Sequence, residues 1–523
     1  MISEIRFSGF QGFASDRLHT AKLAPLTLVF GPNASGKSSL LRAAKLIHQS
    51  VDGSSDIPSN RGAKFRFEGE QVSLASFANC SYMHEVHKST LMTIGASYKL
   101  EGAGSPEPFR NFFDEVSLTW QLADPGWVKF VTVEFKPSTF DSEGLKIEFR
   151  MDTADGRDVT VTDIQGDFSQ LHQLVDHPSI ARMKPDEPKL FRKDTPEHEA
   201  FQDDFYSEMN NLKYDEFWKE VISESREFEL GGVLPYVRRS SDRGLENFAQ
   251  GSFETDLRGI AKQFAMRILG ALLQAARSVS RRASSGLISV APLRAISERL
   301  SFQQSPTNSG QDVELERSEA YEQKISNWLE ELTDGRFSYK RAVFVPEEMS
   351  IFGALESPQV IDNQSGTSVS FMDVGVGLSQ VLPILEALAL RNMTGGATRT
   401  LFVEQPELHL HPKMQASLAD LFIDSVNARR LQIVAETHSE ALLNRVQKRL
   451  REGKLSPQDV QVIYVEPGAS RASGYQTPEG LDTADVPRPQ TTNTIRQLPL
   501  LAEEEYEIEF PVSFAGLRLS EYL

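Results

Sequence analysis

The eight residues Gly31-Pro32-Asn33-Ala34-Ser35-Gly36-Lys37-Ser38 stand between the apolar run Leu26-Thr27-Leu28-Val29-Phe30 and the segment Leu40-Leu41-Arg42-Ala43-Ala44. This order predicts a strand, a tight loop and a helix. An unalternated apolar strand is buried on both faces, so the loop commits the chain to an α/β layer built on parallel strands. The glycines let successive N–H groups face inward, and the helix N-terminus adds partial positive charge. Such a loop takes a nucleoside triphosphate. Lys37 is placed to reach the terminal phosphates and Ser38 to offer its hydroxyl to Mg²⁺, with Asn33, Ala34, Ser35, Gly36 and Ser39 completing the cradle.

At 523 residues the chain exceeds one compact core and predicts a few subdomains. The sequence has no apolar run of the roughly 20 residues that cross a bilayer and no basic start followed by an apolar stretch, so the expectation is a cytoplasmic protein without membrane contact. A single cysteine, Cys80, allows no internal disulfide and fits a reducing compartment. The formal charge of −18 argues against a surface coated by nucleic acid. Because salt screens beyond about 8 Å, a local DNA contact is left open. The basic pairs Arg238-Arg239, Arg281-Arg282 and Arg429-Arg430 fit a solvated face better than a nucleic-acid track.

From 1 to 166 the chain alternates. Val116, Leu118, Trp120 and Leu122 share one strand face, as do Leu145, Ile147, Phe149 and Met151, which predicts antiparallel strands beside the nucleotide loop. Over 167–285 the period turns helical. Leu257, Ile260, Ala261, Phe264, Ala265, Ile268, Leu269, Leu272 and Leu273 make one apolar face, read as a helical insertion too short and too poor in heptads for a long coiled coil. Over 286–467, Leu401-Phe402-Val403, Leu431-Gln432-Ile433-Val434-Ala435 and Val460-Gln461-Val462-Ile463-Tyr464-Val465 read as buried parallel strands. A small extension, 468–523, follows. Gln303 to Asp312 and Gly468 to Thr492 have loop composition.

Two of these strands run directly into chemistry, Glu404-Gln405-Pro406-Glu407 and Glu436-Thr437-His438-Ser439, beyond the strand carboxyl ends where open α/β sheets bind ligands. Glu404 ends an apolar strand and is the expected carboxylate for magnesium. Gln405 follows it and an amide takes no proton; general-base help is worth about 10²–10⁴-fold, so a site relying on Gln405 turns over slowly. Glu407 is the alternative base, against a plain helix-capping role before Pro412. His438 is placed to donate to the γ-phosphate. His409 and His411 read as packing or subunit-interface residues, and His84-Glu85-Val86-His87 as surface. Asp373 to Pro383 is a Gly-rich turn entering a helix, in which the N–H groups around Gly375 and Gly377 and the Ser379 hydroxyl are candidates for a second phosphate surface.

Together GPNASGKSS, VAPLRAISERL (Val290 to Leu300), DVGVGLSQVLP, LFVEQPELHLHP and AETHS resemble the ABC-type ATPases grouped with the RecF, SMC-like and overcoming-lysogenization-defect proteins. Within that group they are most similar to stand-alone AAA-family ATPases of bacterial antiphage systems, the PtuA type of Septu. The segment ending Phe510-Pro511-Val512-Ser513-Phe514 resembles the terminal extension of the group. The resemblance implies an α/β fold, an ABC-type P-loop ATPase head with a mixed sheet, helices and an antiparallel subdomain, carrying a helical insertion. It implies ATP and Mg²⁺ as cofactors, and a head-to-tail dimer in which Gly375, Gly377 and Ser379 complete the partner's ATP site. Where ABC relatives carry Asp-Glu, this chain has Glu404-Gln405. Gln71 is a candidate for the loop that senses magnesium. The function implied is an ATPase that dimerises around ATP and gates an effector, a nuclease or toxin, or a DNA contact in antiphage defence. The alternatives are a slow-hydrolysing scaffold that restrains such an effector, or a DNA-repair ATPase. The stretch after His438 has no clustered Glu with an Asp-x-Asp pair, which speaks against a fused nuclease.

Overall fold

The computed structural model describes residues 1–52, 63–82, 91–100, 112–138, 144–152, 159–166, 214–224, 228–231, 233–237, 257–292, 294, 301–302, 319–344, 355–371, 373–393, 399–428, 431–468 and 492–498. His84 to His87, Arg238-Arg239, Arg429-Arg430, Gln303 to Asp312, nearly all of Gly468 to Thr492, and Phe510 to Phe514 lie outside them.

The first sheet has seven antiparallel strands in the order β2-β1-β4-β5-β6-β7-β8. These are β1 (Ile2–Ser8), β2 (His19–Lys22), β4 (Met92–Lys99), β5 (Phe113–Ala123), β6 (Trp127–Pro137), β7 (Leu145–Met151) and β8 (Val159–Gln165). The alternation read from the sequence is the reason: Val116, Leu118, Trp120 and Leu122 are fully buried along β5, and Leu145, Ile147 and Phe149 along β7.

The second sheet runs β11-β16-β17-β3-β18-β19, with β11 (Leu287–Val290), β16 (Arg399–Glu404), β17 (Leu431–Glu436), β3 (Leu26–Phe30), β18 (Val460–Glu466) and β19 (Thr494–Leu498). All neighbours are parallel except β19, which pairs antiparallel with β18 at the edge. All five residues of β3 are buried, as its unalternated composition requires. One strand, β17, separates the strand of the phosphate loop from β16. At the heart of this sheet sits Gln432, fully buried. Its amide nitrogen donates to the carbonyls of Ile2 (2.7 Å) and Ala24 (3.2 Å), and its oxygen accepts from Ile2 N and Thr400 Oγ1 (both 3.1 Å). A buried polar group with every partner in place ties the start of the antiparallel sheet to the parallel one, its hydrogen bonds offsetting the desolvation of the amide.

Helix α1 (Lys37–Asp52) starts at the loop and packs under both sheets; α2 (Phe77–Cys80) is a single turn. In the stretch expected to be a helical insertion, the described residues form α3 (Tyr214–Glu224), the hairpin β9 (Phe228–Gly231) and β10 (Leu234–Val237), and α4 (Leu257–Ser285). Of the expected apolar face, the side chains of Leu257, Ile260, Ala261 and Phe264 lie outside the description, and the described Ala265, Ile268, Leu269, Leu272 and Leu273 are buried. These residues pack against α1 and share its core, so α4 is a wall of the nucleotide-binding body. Trp120 secures the hairpin, donating its indole N–H to the Val233 carbonyl (2.6 Å).

A smaller sheet joins β12 (Ser301–Phe302), β14 (Leu355–Asp362), β13 (Phe337–Phe344) and β15 (Ser368–Ser370), with α5 (Glu319–Leu332) against it. Helices α6 (Val376–Met393), α7 (Pro412–Asn427) and α8 (Glu440–Arg451) complete a second core around Leu385, Leu401 and Phe422. No described helix is long and apolar enough to cross a membrane.

Candidate functional site

The phosphate loop follows β3 with the backbone its sequence demands. Ala34 (φ 62°) and Gly36 (φ 97°) are left-handed. Gly31 (φ 149°) lies so close to the Val465 carbonyl that a Cβ would stand 2.3 Å from it, and a Cβ on Gly36 would meet the Phe13 ring at 2.8 Å. Asn33, Ala34, Gly36, Lys37, Ser38, Ser39, Gln405 and His438 line one cleft of about 270 Å³, joined by Arg42 and Glu436. Phosphate-loop, β16 and β17 residues from distant parts of the chain therefore converge. Ser35 lies beneath the loop, fully buried, its hydroxyl without a partner.

Lys37 is 4% exposed and donates to the carbonyls of Gly31 (2.9 Å) and Pro32 (2.8 Å). Burial pulls its pKa down, while Glu436 and then Glu407 pull it up. Ser38 Oγ donates to Glu436 Oε1 (2.9 Å). Glu436 Oε2 has no partner, and the residue is 4% exposed. Burial, and then the nearby Glu404, raise the Glu436 pKa against the Ser38 hydrogen bond, Lys37 and Arg42.

Glu404 and Glu436 are register partners at the ends of parallel neighbours, but they are used differently. Glu404, the residue expected to hold magnesium, pairs with Lys45, about two turns into α1, and the carboxylate touching Ser38 is Glu436. The physical reason is the extra strand between β3 and β16: the strand beside the loop is β17, so its terminal carboxylate is the one within reach of Ser38. Sequence reasoning passed over Glu436 although the same signal, a carboxylate ending an apolar strand, marks both. Glu407 is spent as an acceptor, of Thr437 Oγ1 (2.8 Å) and His438 N (2.7 Å), and does not cap α7; His411 does. Gln405, left-handed at φ 46°, projects into the cleft with its N–H on the Glu436 carbonyl (2.7 Å). Burial, and then Lys37, lower the His438 pKa, while Glu407 opposes.

The Gly-rich turn does not line this cleft. Gly375 is exposed with open space around it and Val376 is 54% exposed, whereas Ser379 is buried and donates to its own turn at Val376 O (2.9 Å). The Ser379 hydroxyl is thus engaged within its own turn, and the exposed parts of the turn are its backbone at Gly375 and the Val376 side chain. His409 and His411 are both exposed at the loop beside it, which suits a surface contact and not packing. Gln71 also lies away from the cleft. Its N–H donates to Gln49 Oε1 (3.2 Å), twelve residues along α1 from Lys37, about 18 Å along a helix axis.

The cleft fits a triphosphate with magnesium. It offers a left-handed loop, a buried ammonium held by carbonyls, and one buried oxygen, Glu436 Oε2, that lacks a partner and so invites a ligand. The strand order and the cleft define a P-loop ATPase head with a parallel core and an antiparallel flank. The chain belongs to the AAA ATPase domain family, which matches residues 1–443.

Among solved structures, the Smc head domain with an extended coiled coil bound to the C-terminal domain of ScpA, from Pyrococcus furiosus, is 12% identical. The alignment covers 95% of this chain and 96% of that one, with a TM-score of 0.39. The SMC head domain from Thermotoga maritima is 9% identical over 88% and 94%, TM-score 0.32. The Smc head domain with a coiled coil and joint from Pyrococcus yayanosii is 12% identical over 95% and 97%, TM-score 0.37. Likenesses this distant say nothing of substrate or partner. No curated protein matches the chain.

Proposed function

We propose that this AAA-family ATPase binds Mg²⁺·ATP in the cleft at Lys37 and works as a head-to-tail dimer. The Gly375–Gly377 turn of each copy closes the site of the other. The observation that carries this reading is the division of the machinery. Phosphate loop, Gln405, Glu436 and His438 share a cleft, while the turn stands elsewhere with an exposed valine at its tip. Lys37 and the loop N–H groups would hold the phosphates, and Ser38 with Glu436 the metal. Bound magnesium would neutralise charge developing on the phosphate oxygens. His438 is placed to hydrogen-bond the terminal phosphate and Gln405 to orient, without deprotonating, a water.

The expected biological setting is bacterial antiphage defence, in which the ATP-held dimer gates an effector nuclease or toxin. The support is the joint set of motifs in the sequence; a role of the Septu type, and any DNA contact, are proposals on the same footing. Gln405 favours a slow-turnover scaffold over a motor, since the cleft holds an amide where a proton acceptor would serve hydrolysis.

Mass measurement in solution tests the reading. Wild type should be monomeric without nucleotide and dimeric with Mg²⁺·ATP. Val376→Asp should stay monomeric while binding nucleotide, and Lys37→Ala should lose at least tenfold in ATP affinity, having lost a charged donor worth about 1.5–3 kcal/mol. A wild-type mass that ignores ATP overturns it.

A further inference from the structure

Arg294 follows β11 and is 7% exposed. Its Nη1 donates to the Gln380 carbonyl (3.0 Å) in the first turns of α6. Its Nη2 donates to the carbonyls of Glu404 (3.0 Å) and Gln405 (3.1 Å). The main chain repeats the link: Arg294 N donates to Gln380 Oε1 (3.2 Å), and Gln380 Nε2 to Arg294 O (3.0 Å). A buried cation whose acceptors are all neutral carbonyls is costly to keep, and only a planar fork spans two elements in this way. Burial draws its pKa to about 10, so it stays charged at neutral pH. A second contact joins the same parts. Gly377 lies against the loop after β16, where a Cβ would come within 2.6 Å of the His409 carbonyl.

We propose that Arg294 is a positioning residue that ties the exposed Gly375–Gly377 turn to the Glu404-Gln405 backbone. Engagement of the turn by the second copy then sets Gln405 in the chain's own cleft. Gln405 is pinned from both sides, its N–H by the Glu436 carbonyl and its carbonyl by Arg294. A shift of α6 is thus transmitted without passing through solvent. The inference deepens the dimer reading and rests on it.

The test compares wild type, Arg294→Gln and Arg294→Lys. Three measurements are made: binding of a fluorescent ATP analogue, ATP-dependent mass, and the dependence of hydrolysis on ATP concentration. The expected result is nucleotide affinity within about twofold of wild type and a dimer that still forms. In both variants kcat should fall by about 5- to 150-fold and the cooperativity of hydrolysis should be lost, the range of a typical coupling between sites. Lysine keeps the charge and should not rescue. Dimeric variants with wild-type kcat and cooperativity overturn the inference while leaving the dimer reading intact. Parallel loss of nucleotide binding overturns it in favour of a merely structural role. A wild type that never dimerises overturns both.

Discussion

Replacing Glu436 by glutamine and, separately, Glu404 by glutamine should produce opposite outcomes, although the two residues are register partners at the ends of adjacent strands. In the nucleotide-free protein Glu436 makes one hydrogen bond, from Ser38, and leaves its second oxygen buried and unpaired. A hydrogen bond to a charged group contributes about 1.5–3 kcal/mol, and an unsatisfied buried polar group costs about 1–3 kcal/mol, so the two nearly cancel. Glutamine keeps an acceptor for Ser38 and sheds the charge. Glu436→Gln should therefore change stability by no more than about 1 kcal/mol, while removing the charge offered to magnesium. The loss to Mg²⁺·ATP binding should be about 1.5–3 kcal/mol, roughly 10- to 150-fold in Kd. Glu404→Gln instead strands the Lys45 ammonium, whose side chain is 5% exposed, and breaking a buried pair costs about 3–5 kcal/mol. Denaturant melts of the free proteins, with nucleotide titrations at several magnesium concentrations, separate the two. If Glu436→Gln binds Mg²⁺·ATP as wild type does while folded Glu404→Gln loses its magnesium dependence, the assignment of the metal carboxylate is wrong.

His48 is fully buried in α1, its Nδ1 against the Ala44 carbonyl (2.6 Å) and its ring edge-on to Tyr98; burial takes its pKa to about 4. Between pH 6.5 and 4 the unfolded chain binds the proton that the native one refuses. Stability should rise with pH through that window and fall on acidification by up to about 3 kcal/mol, a loss that His48→Leu should remove from melts recorded at pH 4.5 and 7. Trp120→Phe should cost about 1–3 kcal/mol by orphaning the Val233 carbonyl, and hydrogen exchange should show the gain in opening concentrated in the β9–β10 hairpin. Uniform exchange over the chain would contradict the docking assigned to that indole.

The order of elements was legible wherever one physical pattern acted alone. The loop at Lys37 announced β3 and α1, and alternation announced β5 and β7. Unalternated apolar runs announced β16, β17 and β18, since a strand covered on both faces has no polar side to show. The cleft was legible as a list of segments but not as an assignment of carboxylates. Which of two strand-ending glutamates reaches Ser38 is decided by strand order, and periodicity carries no record of sheet neighbours. The face of α4 was visible as apolar, yet its partner was not: an apolar stripe states that it is covered, and α1 lies more than two hundred residues away in the chain. The partner of the Ser379 hydroxyl was not legible for a local reason. A serine inside a first helical turn finds an acceptor in its own backbone, here Val376 O, before any ligand.

Gln405 carries the last consequence. Glu404 is committed to Lys45 and Glu407 to Thr437 and His438, while Glu436, with one oxygen on Ser38 and the other open, is assigned to the metal, so none of the three is left to take a proton from water where Gln405 points. Gln405→Glu would place one there in the same left-handed backbone, which already exists and need not be created. The new carboxylate would stand near Glu436, a like charge that raises its pKa in the empty cleft and makes it the better base once Lys37 and magnesium offset that charge. General-base catalysis is worth about 10²–10⁴-fold, so single-turnover hydrolysis should accelerate by at least about a hundredfold while ATP affinity stays within an order of magnitude. The proposed ATP-held dimer should then be shorter-lived by the same factor, because in that assembly the molecule joining the two copies would be consumed sooner. An unchanged rate with intact binding would mean that the amide is not where water is activated, and that slow turnover is set by assembly of the second half-site.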